Sequence, residues 1–186
     1  SFTTVPDVSI LQLQAIQFGG DMTLSLNDTC SLLVSAAVGP DEVDSGIAPN
    51  AVVGEAATFQ QRGGSCDPTN AVDGTAGIYE VSGGAGVPVK ITVNTLTGTN
   101  FNFVPTGAIG NYDGANTANG DSLQDITADT EHTVNLANVN DVINAAQGGS
   151  PQAGKTKIFV GGTLTASTAL TAGTPYTEQF TIDVTY

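Results

Sequence analysis

The chain has 186 residues, in which 4 Lys and Arg stand against 18 Asp and Glu, giving a formal net charge of −14. So few cations cannot displace the counterions of a phosphate backbone, and an anionic lipid surface would repel the chain. No apolar stretch approaches the roughly 20 residues that cross a bilayer. We therefore expect no nucleic-acid partner and no membrane span, while a hydrophobic share of 40% suffices for one folded domain.

Two features of the sequence bear on where the protein acts. The first residues, Ser1 to Thr4, show no methionine, basic region or apolar core of a targeting peptide, which predicts a secreted chain whose signal peptide has been removed. A trimmed chain would look the same. The chain has an even number of cysteines, Cys30 and Cys66, so we predict one disulfide between them, with two buried thiols as the alternative.

The chain begins with an arm, residues 1–14, that is extended, β-prone and punctuated by polar residues. Its candidate apolar plugs are Val5, Val8, Ile10, Leu11 and Leu13. Such an arm can fold back as an ordinary edge strand, or it can add to the exposed sheet edge of a neighbouring subunit. We expect residues 15–186 to form a single β-sandwich domain.

Alternation of apolar and polar residues, together with abundant Thr, Val and Gly, predicts the strands of this domain. In chain order they are 22–26, 30–38, 52–59, 77–81, 87–93, 101–104, 133–136, 156–160, 163–166 and 180–186. The alternation places Cys30 on an inward face and Lys90 on a polar face. Pro88 suits the beginning of a strand or an edge.

Turn-rich stretches separate these strands. Gly107–Gly120 is the lowest in complexity and predicts an exposed loop that carries Tyr112. The only helical signals are 122–130 and 140–147, where we expect at most one or two single turns. Many short strands with Gly, Pro, Asn and Asp between them predict an antiparallel all-β sandwich.

Few side chains are suited to catalysis. His132, the one histidine, lies at the beginning of a predicted strand, where we expect a solvated position. The chain has no nucleophile elbow, zinc-binding histidine pair or phosphate-binding loop, so we expect no enzyme activity and no cofactor. Asp67, Asn70 and Asp73 are weak calcium candidates that do not match the EF-hand spacing, and acidic loops more often serve solubility. We predict no metal site.

The C-terminal residues carry a family resemblance. Ile158–Leu164, Ala172–Tyr176 and Phe180–Tyr186 resemble the end of an exported bacterial family called domain of unknown function 4402, which closes with a VGGTL strand, a G-x-Y turn and an F-x-V-x-V-x-Y strand. Weaker matches lie at Ile16–Gly19 and Tyr79–Val93. The chain departs from the family pattern by an extra residue in the turn and a longer region at 107–125.

The general look of this family also resembles that of chaperone-usher and spore-coat-type pilins. The resemblance implies an incomplete immunoglobulin-like sandwich that is completed by a strand from the next subunit, and it brings no catalytic residues. In this interpretation the arm is the donor strand. One wall of the acceptor groove is then lined by Phe180, Ile182, Val184 and Tyr186.

These observations favour a structural subunit of an extracellular bacterial filament. It would polymerise with copies of itself through heterologous contacts, which generate an open filament, and a periplasmic assembly chaperone is a further expected partner. The alternative is a secreted, monomeric carbohydrate-binding or adhesive module that uses the Gly107–Gly120 loop. A chain with no Trp and only 4 Tyr offers few stacking platforms for sugars, which counts against the alternative.

Overall fold

The computed structural model describes residues 7–19, 22–34, 59–64, 75–112, 122–138 and 153–186. These residues form eleven strands and contain no helix. The strands are β1 (Ser9–Gln14), β2 (Thr29–Val34), β3 (Phe59–Gly64), β4 (Gly77–Ser82), β5 (Pro88–Val93), β6 (Leu96–Thr97), β7 (Phe101–Asn111), β8 (Ser122–Asp125), β9 (Glu131–Asn135), β10 (Lys155–Ala166) and β11 (Ile182–Thr185). All their pairings are antiparallel, which confirms the predicted all-β antiparallel class.

β10 is the central strand of the larger sheet because it pairs along both of its edges. On one edge its first half pairs with β4 and its second half with β2. On the other edge it pairs with β7 from Ile158 to Ala166. β1 extends this sheet beyond β4, β3 extends it beyond β2, and β6 and β8 extend it beyond β7.

Two glycines allow β7 and β10 to approach each other closely. Gly107 has a φ of +143°, and a β-carbon there would overlap the carbonyl oxygen of Phe159. Gly162 has a φ of +150°, and a β-carbon there would overlap the carbonyl oxygen of Val104. Because glycine tolerates both conditions, β10 continues as one strand where alternation predicts two.

The smaller sheet has three strands in the order β11–β5–β9. In β5 the side chains of Val89, Ile91 and Val93 are fully buried, as the alternation predicts. Pro88 begins this strand, and Lys90 lies on its outer face with its Nζ atom 3.4 Å from a Glu131 carboxylate oxygen.

The two sheets pack their apolar faces onto one another. The main core cluster joins Val81, Ile109 and Ile158 of the larger sheet to Ile91 and Val134 of the smaller one. A second cluster gathers around Leu24, Cys30, Leu164, Ala166 and Leu170, at the far end of β10. The architecture is therefore sandwich-like.

The prediction of an exposed loop from Gly107 to Gly120 is wrong in its first part. β7 continues to Asn111, and Tyr112, which follows, is fully buried. The Tyr112 N–H donates a hydrogen bond of 3.3 Å to the carbonyl of Asn135. Low complexity is misleading here because β8 and β10 supply both edges of this part of β7 with partners.

Three further local predictions are wrong. Residues 122–125 form β8 instead of a helical turn, because β7 offers them a strand edge. Residues 22–26 form no strand, and Leu24 makes only an isolated bridge to Leu170. His132 is buried, and its Nε2 atom accepts a hydrogen bond of 3.1 Å from the Thr127 N–H. Residues 52–58 of the predicted strand 52–59, and the helical signal at 140–147, lie outside the described residues.

Candidate functional site: an open flank of the sandwich

One side of the sandwich ends in two strand edges that no strand in the described ranges covers. Among the described strands, β1 pairs only with β4, and β11 pairs only with β5. We call this side the open flank and define it by β1, β11 and the two residues next to them, Val8 and Tyr186. An unpaired edge presents N–H and C=O groups to which a further strand can add.

β11 lies along β4 because it is fastened near both ends of that strand. At one end the rings of Phe180 and Tyr79 are edge-on, with centroids 6.0 Å apart. At the other end the Gly84 N–H donates to the Tyr186 hydroxyl oxygen at 3.3 Å. Gly83 has no side chain, and a β-carbon there would come within 2.8 Å of that same hydroxyl. These contacts place β11 over β4, so that β1, the outer neighbour of β4, lies on the same flank.

The register of β1 on β4 decides which of its side chains point inward. Ile10 lies opposite Val81, a core residue, so its side chain faces the interior. Leu11 lies opposite Glu80 and faces outward. After a bulge between Gln12 and Gln14, the Gln14 amide Nε2 donates a hydrogen bond of 2.9 Å to the Ala76 carbonyl.

The flank is unusually apolar for a solvent-facing surface. In the described part of the chain, five large hydrophobic side chains are exposed, and three of them lie here: Ile10 at 40%, Leu11 at 59% and Tyr186 at 44%. Val8, Ile182 and Val184 are only half buried, although they pack against the main core cluster. The apolar side chains of the flank are therefore only partly covered in the described structure.

A groove of about 610 Å3 opens beside the flank, where the chain leaves β1 and where it approaches β11. Aromatic rings form much of its wall, among them Phe18, Phe101, Phe103, Tyr176 and Phe180. The carboxylate of Glu178 also lines it and accepts hydrogen bonds from the Thr99 and Asn100 N–H groups, both at 3.0 Å. The groove is thus largely apolar with one fixed negative charge.

The outer face of β4 and β10 holds the clearest electrostatic feature near the flank. Lys155 Nζ lies 2.6 Å from Glu80 Oε1. Burial lowers the pKa of Lys157, against a partial opposing effect of Glu80. On the inner side, burial raises the pKa of Tyr79 above its ordinary value. Neither change creates an acid–base pair that would suit catalysis.

The structure brings together most of the residues that the sequence analysis assigns to donor and acceptor. Val8, next to β1, packs against the main core cluster, and Ile10 lies on the same face of the sheet as the core residue Val81. Ile182, Val184 and Tyr186 lie on or next to β11 on the same flank. Leu11 faces outward in this pairing, Leu13 lies at the bulge, and Val5 is outside the described residues. Tyr79 and the edge of β4 complete the site, and no local sequence pattern reveals them.

The remaining predicted sites fall partly outside the described residues. Cys30 is fully buried on β2, as predicted, and lies opposite Gly64, two positions before Cys66. Its disulfide with Cys66 stays a prediction, because Cys66 is not among the described residues. The calcium candidates Asp67, Asn70 and Asp73 also lie outside them. Within the described ranges, no three His, Cys, Asp or Glu side chains are grouped to hold a metal ion.

Comparisons with known proteins add no identification. No family model matches the sequence. No curated protein and no solved structure is significantly similar to it. In the part of the chain that the structure describes, no helix is long and apolar enough to cross a membrane. The resemblance to the family of unknown function 4402 stays a prediction, and function has to be inferred from the geometry of the flank.

Proposed function

We propose that the protein is a structural subunit of an extracellular bacterial filament, in which the N-terminal arm of one subunit fills the open flank of the next. The observation that carries the proposal is the coincidence of two free strand edges with Ile10, Leu11 and Tyr186, which are exposed apolar side chains. Soluble monomers normally protect such edges and such surfaces. An assembly that also brings the body of a neighbouring subunit against this flank would cover both the edges and the side chains.

Polymerisation by this route needs the arm to leave its own subunit. In the isolated chain β1 pairs with its own β4, which is the self-complemented arrangement. When β1 departs, Val81 and Tyr79 lose their cross-strand neighbours Ile10 and Gln12, and the arm of a neighbour can restore them. Because arm and flank are different surfaces, each subunit donates on one side and accepts on the other, which produces an open filament.

The proposal assigns an immunoglobulin-like, pilin-like completion to the sandwich and an extracellular location to the product. A disulfide between Cys30 and Cys66 would hold β2 to the segment after β3 and would suit an exported domain. Before subunits meet, the flank would be the surface that a periplasmic assembly chaperone covers. The partners of the mature subunit are further copies of itself.

Negative-stain electron microscopy and unheated gel electrophoresis test the proposal directly. The full chain should form filaments and a heat-sensitive ladder, and a variant without residues 1–14 should stay monomeric. A full-length protein that remains monomeric, and is equally stable without the arm, would rule out the filament function.

A matched pair of variants separates the plugging of the flank from a general effect of the arm. Ile10→Asn puts an amide at an inward position opposite Val81, whereas Leu11→Asn puts the same amide at an outward position opposite Glu80. We expect Ile10→Asn to abolish the ladder and Leu11→Asn to preserve it. Equal loss in both variants would contradict a role for the inward side chain.

The groove supports a second candidate function, a carbohydrate-binding or adhesive module. Tyr112 cannot provide the stacking surface because it is buried, but Phe18, Tyr176 and Phe180 line the groove together with Glu178. Aromatic rings beside one fixed polar group are typical of a ligand pocket. Glycan-array binding that is lost in Tyr176→Ala, by a chain that forms no filaments, would favour this function over the first.

A further inference from the structure

We propose that the incoming arm pairs with β4 of the next subunit, in the register that β1 shows on its own β4, and not with the free edge of β11. This inference rests on the filament function proposed above. Exchange of an identical element between copies re-forms between chains the contacts that exist within one chain. The pairing of β1 with β4 therefore shows how the occupant of the flank is seated.

In this register, the alternation of β1 allows only one set of its side chains to face the core. Ile10 lies opposite the buried Val81, and Leu11 lies opposite Glu80 on the outer face. A slip of one residue would turn Leu11 inward and Ile10 outward. It would also place the side chains of β1 against different neighbours on β4. The pairing register therefore decides which side chain of the arm faces the core.

Gln14 is the residue that we assign to hold this register. Its side chain donates to the Ala76 carbonyl at 2.9 Å, beyond the bulge and just before β4 begins. Gln12, on the other side of the bulge, has its partner Tyr79 within the regular pairing. Gln14 is thus a positioning residue, because it acts through the alignment of the strand and not through a plug.

β4 is a better acceptor than β11 for a physical reason. Release of the arm leaves the outer edge of β4 without the backbone partners that Ser9 to Gln14 provided, and unpaired backbone groups beside a core are costly. A strand added to β11, which has only the four residues Ile182–Thr185, would leave that edge of β4 unpaired. A strand added to β4 restores the backbone pairing that release of the arm removes.

Mixing two single-cysteine variants tests the acceptor. One chain carries Ser9→Cys and the other carries Ser82→Cys, in a background that keeps Cys30 and Cys66. The Cα atoms of residues directly opposite each other in antiparallel strands lie about 4.5 to 5.5 Å apart, a distance that a disulfide can bridge. We expect a disulfide-linked dimer on non-reducing gels of assembled material, and none when Thr185→Cys on β11 replaces Ser82→Cys.

The outcomes separate this inference from the filament function. Arm-dependent filaments whose crosslink forms only with Thr185→Cys would overturn the assignment to β4 and leave the filament function standing. Absence of filaments, or filaments that persist without residues 1–14, would overturn both. A crosslinked dimer with Ser82→Cys in arm-dependent filaments supports both.

The role of Gln14 has its own readout. A slip of the arm by two residues would bring Leu11 opposite Ser82, so Leu11→Cys mixed with Ser82→Cys reports that register. We expect Gln14→Ala to increase this slipped product at the expense of the Ser9–Ser82 product, and Gln12→Ala to leave the ratio unchanged. An unchanged ratio in Gln14→Ala would overturn the positioning role.

Discussion

The two flanks of the sandwich differ in how the smaller sheet ends. At the β9 flank the two sheets are joined: the Asn135 N–H donates to Asn111 Oδ1 at 2.8 Å, and the Asn135 amide donates to the Tyr112 carbonyl at 3.1 Å. Tyr112 and Val134 are 0% and 1% exposed there. At the open flank, Ile10 and Tyr186 keep 40% and 44% of their surface exposed.

This difference shows that, among the residues that the structure describes, one side of the sandwich is closed by contacts within the chain and the other keeps apolar side chains exposed. The closed flank satisfies its strand ends with side-chain amides and buries a whole tyrosine. At the open flank, the described strands pair only with the inner edges of β1 and β11. In the proposed function, the closed side stabilises the subunit and the open side is its assembly surface.

We expect the largest loss of stability from Gly107→Ala in β7, the strand that ends at the closed flank. The Gly107 carbonyl accepts a hydrogen bond of 2.9 Å from the Ile126 N–H, and a β-carbon at this position would overlap the Phe159 carbonyl oxygen. We expect a loss of more than about 4 kcal/mol in the free energy of unfolding, measured by urea denaturation. Gly173→Ala, at a φ of +75° with no atom nearby, should cost about 1 kcal/mol. Equal losses would mean that the close approach of β7 and β10 is unimportant.

A pair of tyrosine variants compares the two flanks directly. Tyr112→Ala removes a fully buried ring and should cost about 3 to 5 kcal/mol. Tyr186→Ala removes a ring that is 44% exposed and should cost about 1 kcal/mol in the monomer. Urea denaturation of both variants measures the difference. A larger loss in Tyr186→Ala would show that the open flank is a stabilising part of the monomer.

A pair of ion-pair variants should give a smaller contrast. Glu80→Gln removes the partner of Lys155, where the two side chains are 15% and 35% exposed. We expect a loss of about 1 kcal/mol that shrinks at high salt, because screening weakens the pair. Glu131→Gln on β9 removes the partner of Lys90, whose contact is longer and more exposed, and should have no measurable effect. A loss in Glu131→Gln as large as that in Glu80→Gln would contradict this ranking.

The smallest predicted effect is a pH dependence at the open flank. Burial raises the pKa of Tyr79 above its ordinary value of 10.0, so the folded protein keeps a proton that the unfolded chain releases. The associated stability is present below pH 10.0 and is lost as the pH rises through the raised value. Tyr79→Phe should flatten this alkaline decline in denaturation curves measured across that range. An unchanged decline in Tyr79→Phe would mean that other titratable groups cause the alkaline loss of stability.

The sequence predicts the parts of the fold that depend on local alternation. Val89, Ile91 and Val93 are identified as core because each faces the same side of one strand. The open flank is less predictable from the sequence, because the edge of β4 becomes part of it only through the long-range pairing of Ile10 with Val81. Neither residue carries a local signal of the other.

The errors of the sequence analysis have the same origin. Gly107 has the composition of a loop but lies in a strand, because it is the close approach of β10 that requires a glycine there. Tyr112 follows a stretch of small residues and is nevertheless buried through contacts with β9. Tertiary pairing decides both cases.

The most direct test of exchange at the open flank is a removable lock on the arm. Ser9 and Ser82 lie opposite each other within one chain, so a Ser9→Cys, Ser82→Cys double variant can be oxidised as a monomer to staple β1 to its own β4. We predict that the oxidised monomer forms no filaments and that adding a reductant starts assembly, followed by electron microscopy. Filaments that grow equally well from the oxidised, stapled monomer would contradict the account.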